Sequence, residues 1–151
     1  MNKNYESALY ETAISSFEQL CFMFHAPELE DSDHKFQTGA MAMVEFSGPF
    51  KGTLYLKVCK DLLTAVASNM LGEEQPTLQN QKDALGEMSN VICGNVLSKI
   101  TPQNEAFSIS SPKVFEEDVL TEDDRKKAVA SVNIPLDEGY TELILFMDNQ
   151  E

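Results

Sequence analysis

The feature that most constrains this chain is the uninterrupted run from Thr77 to about Ile100, which holds no proline and closes at Thr101-Pro102. At about 100° per residue, Leu85, Met88, Ile92 and Val96 fall in a band roughly 80° wide, and Asp83, Glu87, Asn90 and Gly94 share the opposite side. This spacing predicts one long helix with a single apolar stripe. That stripe must face a core, so the rest of the chain has to supply a layer for it to lie on.

The flanking segments supply it. Tyr5 to Phe24 carries apolar residues at helical spacing. Two strand-like runs, Ala40–Phe46 and Gly52–Val58, flank a turn of Ser47, Gly48 and Pro49 and read as a hairpin. Met41 and Met43 on one face of its first strand read as core. Lys60–Leu71 reads as a short helix stopped by Gly72. After the long helix come strand-like runs at Phe107–Ser111 (extended past Pro112 by Lys113–Phe115), Ala128–Ile134 and Tyr140–Met147, the last behind an Asp137-Glu138-Gly139 turn. The intervening EEDVLTEDDRKK reads as a charged, exposed connection, and the terminal DNQE as frayed. Helices clustered apart from an antiparallel sheet predict an α+β fold with a long central helix. A length of 151 residues fits one domain covering the whole chain.

Composition narrows the partners. The net charge is -14, from 25 acidic and 11 basic residues. Such a surface repels nucleic acid and anionic lipid; the charge serves either plain solubility or attraction to a partner with a basic rim. Cys21, Cys59 and Cys93 are odd in number, widely spaced and set in apolar surroundings, and with His25 and His34 they complete no zinc pattern. Buried thiols suit a reducing compartment. The N-terminal MNKNYESALYETAISSF lacks the apolar core of a signal peptide, and no stretch approaches a membrane span. A cytoplasmic location is therefore expected, with no cofactor or metal of the chain's own.

The outward stripe of the long helix is where chemistry is expected. Glu87 and Asn90, at i and i+3, are neighbours able to engage one site together. Gly94 lies a further turn along. A glycine inside a helix costs about 1 kcal/mol relative to alanine; at Gly94 it clears a side chain from the exposed face, so that another backbone can approach. Gly86 carries a similar cost. Spacing alone is also compatible with an ordinary solvated helix face.

The string Glu87-Met-Ser-Asn90-Val-Ile-Cys-Gly94-Asn95 resembles the E-x-x-N-x-x-x-G-N signature of the CheC/CheX/FliY phosphatases of bacterial chemotaxis. The apolar positions around it, Leu85, Met88, Val91 and Ile92, and the order of elements resemble that family too. A single copy of the motif looks like the CheX branch, whose members pair as dimers. The resemblance implies a phosphatase acting on the phospho-aspartate of a CheY-like response regulator, which itself holds Mg2+ and a lysine. It assigns to Asn90 the placing of the attacking water and to Glu87 the anchoring contact with the regulator's lysine. Asp83 would tune the docking charge or merely solvate the helix, and Asn95, turned well away from Asn90, would be structural. Two other readings stay open: a binding or scaffold module of the same fold without hydrolysis, and an unrelated acidic α+β protein.

Overall fold

A computed structural model describes residues 3–29, 36–101 and 105–148. Helix α1 (Lys3–Cys21) leads into strands β1 (Thr38–Ser47) and β2 (Gly52–Cys59), then helices α2 (Lys60–Leu71) and α3 (Leu78–Ile100). Strands β3 (Ser108–Ile109) and β4 (Lys113–Phe115), the short helix α4 (Glu122–Lys126), and strands β5 (Ala130–Leu136) and β6 (Gly139–Met147) complete the chain. The strands form one antiparallel sheet in the order β3-β1-β2-β6-β5, with β4 also pairing β1. The predicted α+β class therefore holds. The terminal residues after Asp148, His34 and Pro102 lie outside the described residues.

Local chemistry sets the helix boundaries. The Thr77 hydroxyl accepts the Asn80 N–H at 3.1 Å and starts α3, since an N-cap oxygen satisfies a donor that the first turn leaves open. Lys99 in the last turn of α3 complements the dipole there. Gly72 takes the left-handed conformation at φ 69° and ends α2, its N–H bonding Ser68 O at 2.9 Å.

The pleat sorts side chains between two layers. Ala40, Ala42 and Val44 of β1, Leu54, Leu56 and Val58 of β2, and Leu143 and Leu145 of β6 pack against the three long helices. Met41 and Ile144 point to the other face, where they form a second small core with Ala128, flanked by Tyr55, Leu120 and Phe146. Met41 is thus core, as expected, and Met43 is half-buried.

Three segments differ from the sequence reading. Helix α1 stops at Cys21 rather than Phe24. The Cys21 carbonyl accepts the Asn69 amide at 2.7 Å, and the Phe24 N–H bonds Asp137 at 3.2 Å. The first bond ties the end of α1 to α2, the second ties Phe24 to the β5–β6 turn, and Phe22 turns the chain at φ 56°. Next, Pro112 divides what reads as one strand into β3 and β4, because it has no N–H to give a ladder. Finally, the connection is exposed over most of its length, as expected, but it contains the short helix α4, whose capping box joins Thr121 and Asp124 in both directions, at 3.0 and 2.9 Å. From this connection Arg125 reaches Asp118 at 2.6 Å and Glu142 at 3.0 Å, and Lys57 reaches the same two carboxylates at 3.3 and 3.5 Å. This four-charge cluster holds the connection over the second face of the sheet.

Cys21 and Cys93 are buried and Cys59 half-buried, all as free thiols. Burial, helped at Cys21 by the charge of Glu138, pushes both buried thiols up to about 12, so neither is a nucleophile near neutral pH. Among the described residues no helix is long and apolar enough to cross a membrane.

Candidate functional site: a groove along helix α3

Helix α3 is buried over more of its circumference than its apolar stripe requires. Beside Leu85, Met88, Ile92 and Val96, it buries Ala84, Gly86, Ser89, Cys93 and Leu97, a spread of about 220° on the helical wheel. The reason is its setting: α3 lies on the sheet, with α1 and α2 packed on one flank and β3 and β4 on the other. What stays open is a narrow strip, and the four predicted residues occupy it. Asp83 and Glu87 are exposed, and Asn90 and Gly94 are half-buried.

The strip forms the floor of an open groove of about 460 Å³, lined by Gln79, Lys82, Asp83, Gly86, Glu87 and Asn90 from α3 and by Pro112 and Val114 from the opposite wall. Asp83, Glu87 and Asn90 therefore share one site. Gly94 lies one turn beyond Asn90 and does not line this groove.

The two glycines have different reasons. At Gly86 a Cβ would stand 2.9 Å from Pro112 Cγ, so the close approach of the wall at this point depends on the glycine. At Gly94 a Cβ would meet only Ile109 Cδ1, at 3.8 Å, an ordinary contact. Packing within the chain thus accounts for Gly86 and leaves the cost of Gly94 without an internal cause. Asn95 is exposed, so no burial supports the structural role expected of it.

Asp83 accepts the Gln79 amide at 2.9 Å, an i, i+4 bond along the helix surface. Lys82 pairs with Glu116, just past β4, at 2.7 Å. Asn90 differs from all of these. Its Oδ1 is shielded from solvent and accepts no hydrogen bond from any described residue. Such an orphan acceptor costs about 1–3 kcal/mol, and rotation of the amide about χ2 is what would bring it to an outside donor in the groove. Among the described residues no three His, Cys, Asp or Glu side chains gather to hold a metal.

Sequence reasoning missed Lys82 and the Pro112–Val114 wall. Gln79 falls on the same side of the wheel as Asp83 and was legible by the same arithmetic. The wall was not, because nothing in the spacing of α3 says which segment crosses Gly86.

In comparison with known proteins, the family model described as "Chemotaxis phosphatase CheX" matches residues 40–137, well over half of the chain. Among solved structures, a chemotaxis protein CheX from Desulfovibrio desulfuricans superposes with a TM-score of 0.74 at 18% identity, covering 95% of this chain and 99% of that one. The CheX–CheY–BeF3–Mg2+ complex from Borrelia burgdorferi gives 0.70 at 18% identity, covering 96% and 98%. A CheC-like superfamily protein from Shewanella sp. PV-4 gives 0.70 at 16%, covering 99% and 100%. No curated protein matches the chain significantly. The family match spans the hairpin, α3 and the groove wall, so this chain belongs to the CheX family of chemotaxis phosphatases.

Proposed function

We propose that the chain acts in the cytoplasm as one CheX-like domain that accelerates hydrolysis of the phospho-aspartate on a CheY-like response regulator. The observation that carries this reading is the Asn90 amide on the groove, with an unpartnered Oδ1, one turn from the exposed Glu87 carboxylate. A structural relative crystallised together with CheY, BeF3 and Mg2+ supports the choice of partner. Mg2+ belongs to the regulator in this reading, and the chain brings no cofactor of its own.

Hydrolysis of an acyl phosphate needs a water placed in line with the phosphorus and little other help. The water oxygen bonds to phosphorus, the bond to the aspartyl oxygen breaks, and the water's proton passes to a phosphate oxygen or to solvent. A carboxamide suits the placing. Rotation about χ2, which is soft for Asn, presents Oδ1 to a water proton and turns the water's lone pair towards phosphorus. A carboxylate at that position would repel the phosphoryl group. Glu87 meets the regulator's lysine and sets the register, Asp83 adds charge at the rim, and Gly94 admits the partner's backbone.

The direct test is single-turnover loss of phosphate from each CheY-like regulator of the source organism. Acceleration of at least one is expected; no acceleration of any would leave the non-catalytic docking module as the reading. Glu87→Ala should weaken association with the folded chain intact, since exposed substitutions usually cost under about 0.5 kcal/mol. Gly94→Ala should stabilise the free chain by up to about 1 kcal/mol yet also weaken association. Unchanged affinity in both variants would take the α3 strip out of the interface.

The proposed assembly is a homodimer through paired edge strands. Strand β5 is the longest edge of the described sheet. Among the described residues its far end is covered, where Ala26 N–H bonds Pro135 O at 3.0 Å and His25 bridges Leu136. A sheet edge is a template for pairing. Sedimentation showing only a 16.8 kDa species at micromolar concentration would exclude it.

A further inference from the structure

We propose that Lys82 is a specificity-determining residue of the docking groove, which leaves its pair with Glu116 to bind a surface carboxylate of the regulator. The inference rests on the proposed function. Lys82 is the one cation among the residues that line the groove, whose other charged groups are Asp83 and Glu87. Its side chain is 23% exposed, whereas that of its partner Glu116 is 60% exposed. The carboxylate half of the pair is thus largely hydrated and readily exchanged, and the lysine half belongs to a residue that lines the groove. An ammonium has three donors, and Glu116 Oε2, at 2.7 Å, is the acceptor that Lys82 meets here.

The wider field gives this lysine its leverage. A chain of net charge -14 repels an acidic patch on a partner almost everywhere. A lone cation within the groove makes one place where an incoming carboxylate is welcome, and such a place fixes register more than it adds affinity. Lys82 precedes Asn90 by eight residues, or about 12 Å along the helix axis. The regulators favoured would carry Asp or Glu about that far from the phosphorylated aspartate, beyond the lysine that Glu87 meets. Lys82 does not touch the reacting atoms; it positions the partner on α3.

Glu116→Gln and Lys82→Glu separate this role from a structural one. The experiment follows loss of phosphate from the regulator that the wild-type protein accelerates, over a range of phosphatase concentrations and at two salt concentrations. Lys82→Glu should raise the half-saturating concentration about tenfold, moving the saturated rate far less, and Lys82→Met should flatten the salt dependence. Glu116→Gln releases the lysine from its internal pair and should lower the half-saturating concentration about twofold. Effects of opposite sign at the two ends of one ion pair are the signature. If both variants weaken docking alike, the pair merely braces the groove wall and the inference is overturned. No change in either variant overturns it as well. In both cases an active wild-type protein leaves the phosphatase reading standing, whereas a wild-type protein that accelerates no regulator removes both.

Discussion

Asn90→Ala is expected to lose about 10²–10³ in the rate of phosphate loss at saturating phosphatase, the usual cost of one positioned catalytic group. Association should fall less, because Glu87 and the rest of the α3 strip remain. The free chain should not suffer. The substitution removes an acceptor that is shielded and unpaired and puts the best helix former in a helix interior, so thermal stability should hold or rise. A slow variant that melts no earlier than wild type identifies the amide as chemical rather than structural. Asn90→Asp keeps the shape but sets a carboxylate against the phosphoryl group, and should weaken the complex too. Asn90→Gln moves the amide by one methylene and should keep partial activity. Wild-type turnover in Asn90→Ala would refute the water-placing role, whatever the family.

The largest stability effect is expected far from the groove, at Arg125→Ala. Removing one member of a buried charge cluster leaves its partners uncompensated, at about 3–5 kcal/mol when burial is complete. Here the four side chains are 10–23% exposed, so about 2–4 kcal/mol is the expectation. For a chain of this length that lowers Tm by roughly 4–16 °C. The loss should depend on pH. Burial raises the Asp118 carboxyl, but hydrogen bonds from Arg125 and the Leu120 N–H, with the charges of Arg125 and Lys57, outweigh it and hold the group below its usual range. A depressed carboxyl contributes stability above its unfolded pKa, about 3.9, and loses it as pH falls through the lower folded value. The gap between wild type and Arg125→Ala should therefore be full at neutral pH and shrink below about pH 4. Urea melts at pH 7 and pH 3 measure both. A gap that stays constant across that range would show that Arg125 acts through packing alone.

Much of this fold is legible in the chain. Lys60–Leu71 was readable to the residue, because Gly72 marks its end. The hairpin was readable from alternation on either side of Ser47, Gly48 and Pro49. Where the reading failed, a distant residue had intervened. Asn69 and Asp137 end α1 early, and the exposed charged connection gains a helix, α4, which Arg125 ties to Asp118 and Glu142. Local patterns carry no record of such contacts, which join residues up to 113 positions apart.

The site divides in the same way. By itself the sequence determined that Asp83, Glu87 and Asn90 share a helix face, because a period of 3.6 residues is a property of the backbone. It also carried a motif specific enough to point to the family. Only the tertiary structure decided that this face is the floor of a groove, because Pro112 packs on the helix where Gly86 carries no side chain. Only it showed that Asn90 keeps an unpaired oxygen there, and that Lys82 is held by Glu116 across the chain. Spacing along a helix determines direction; shelter and partners depend on what folds against it.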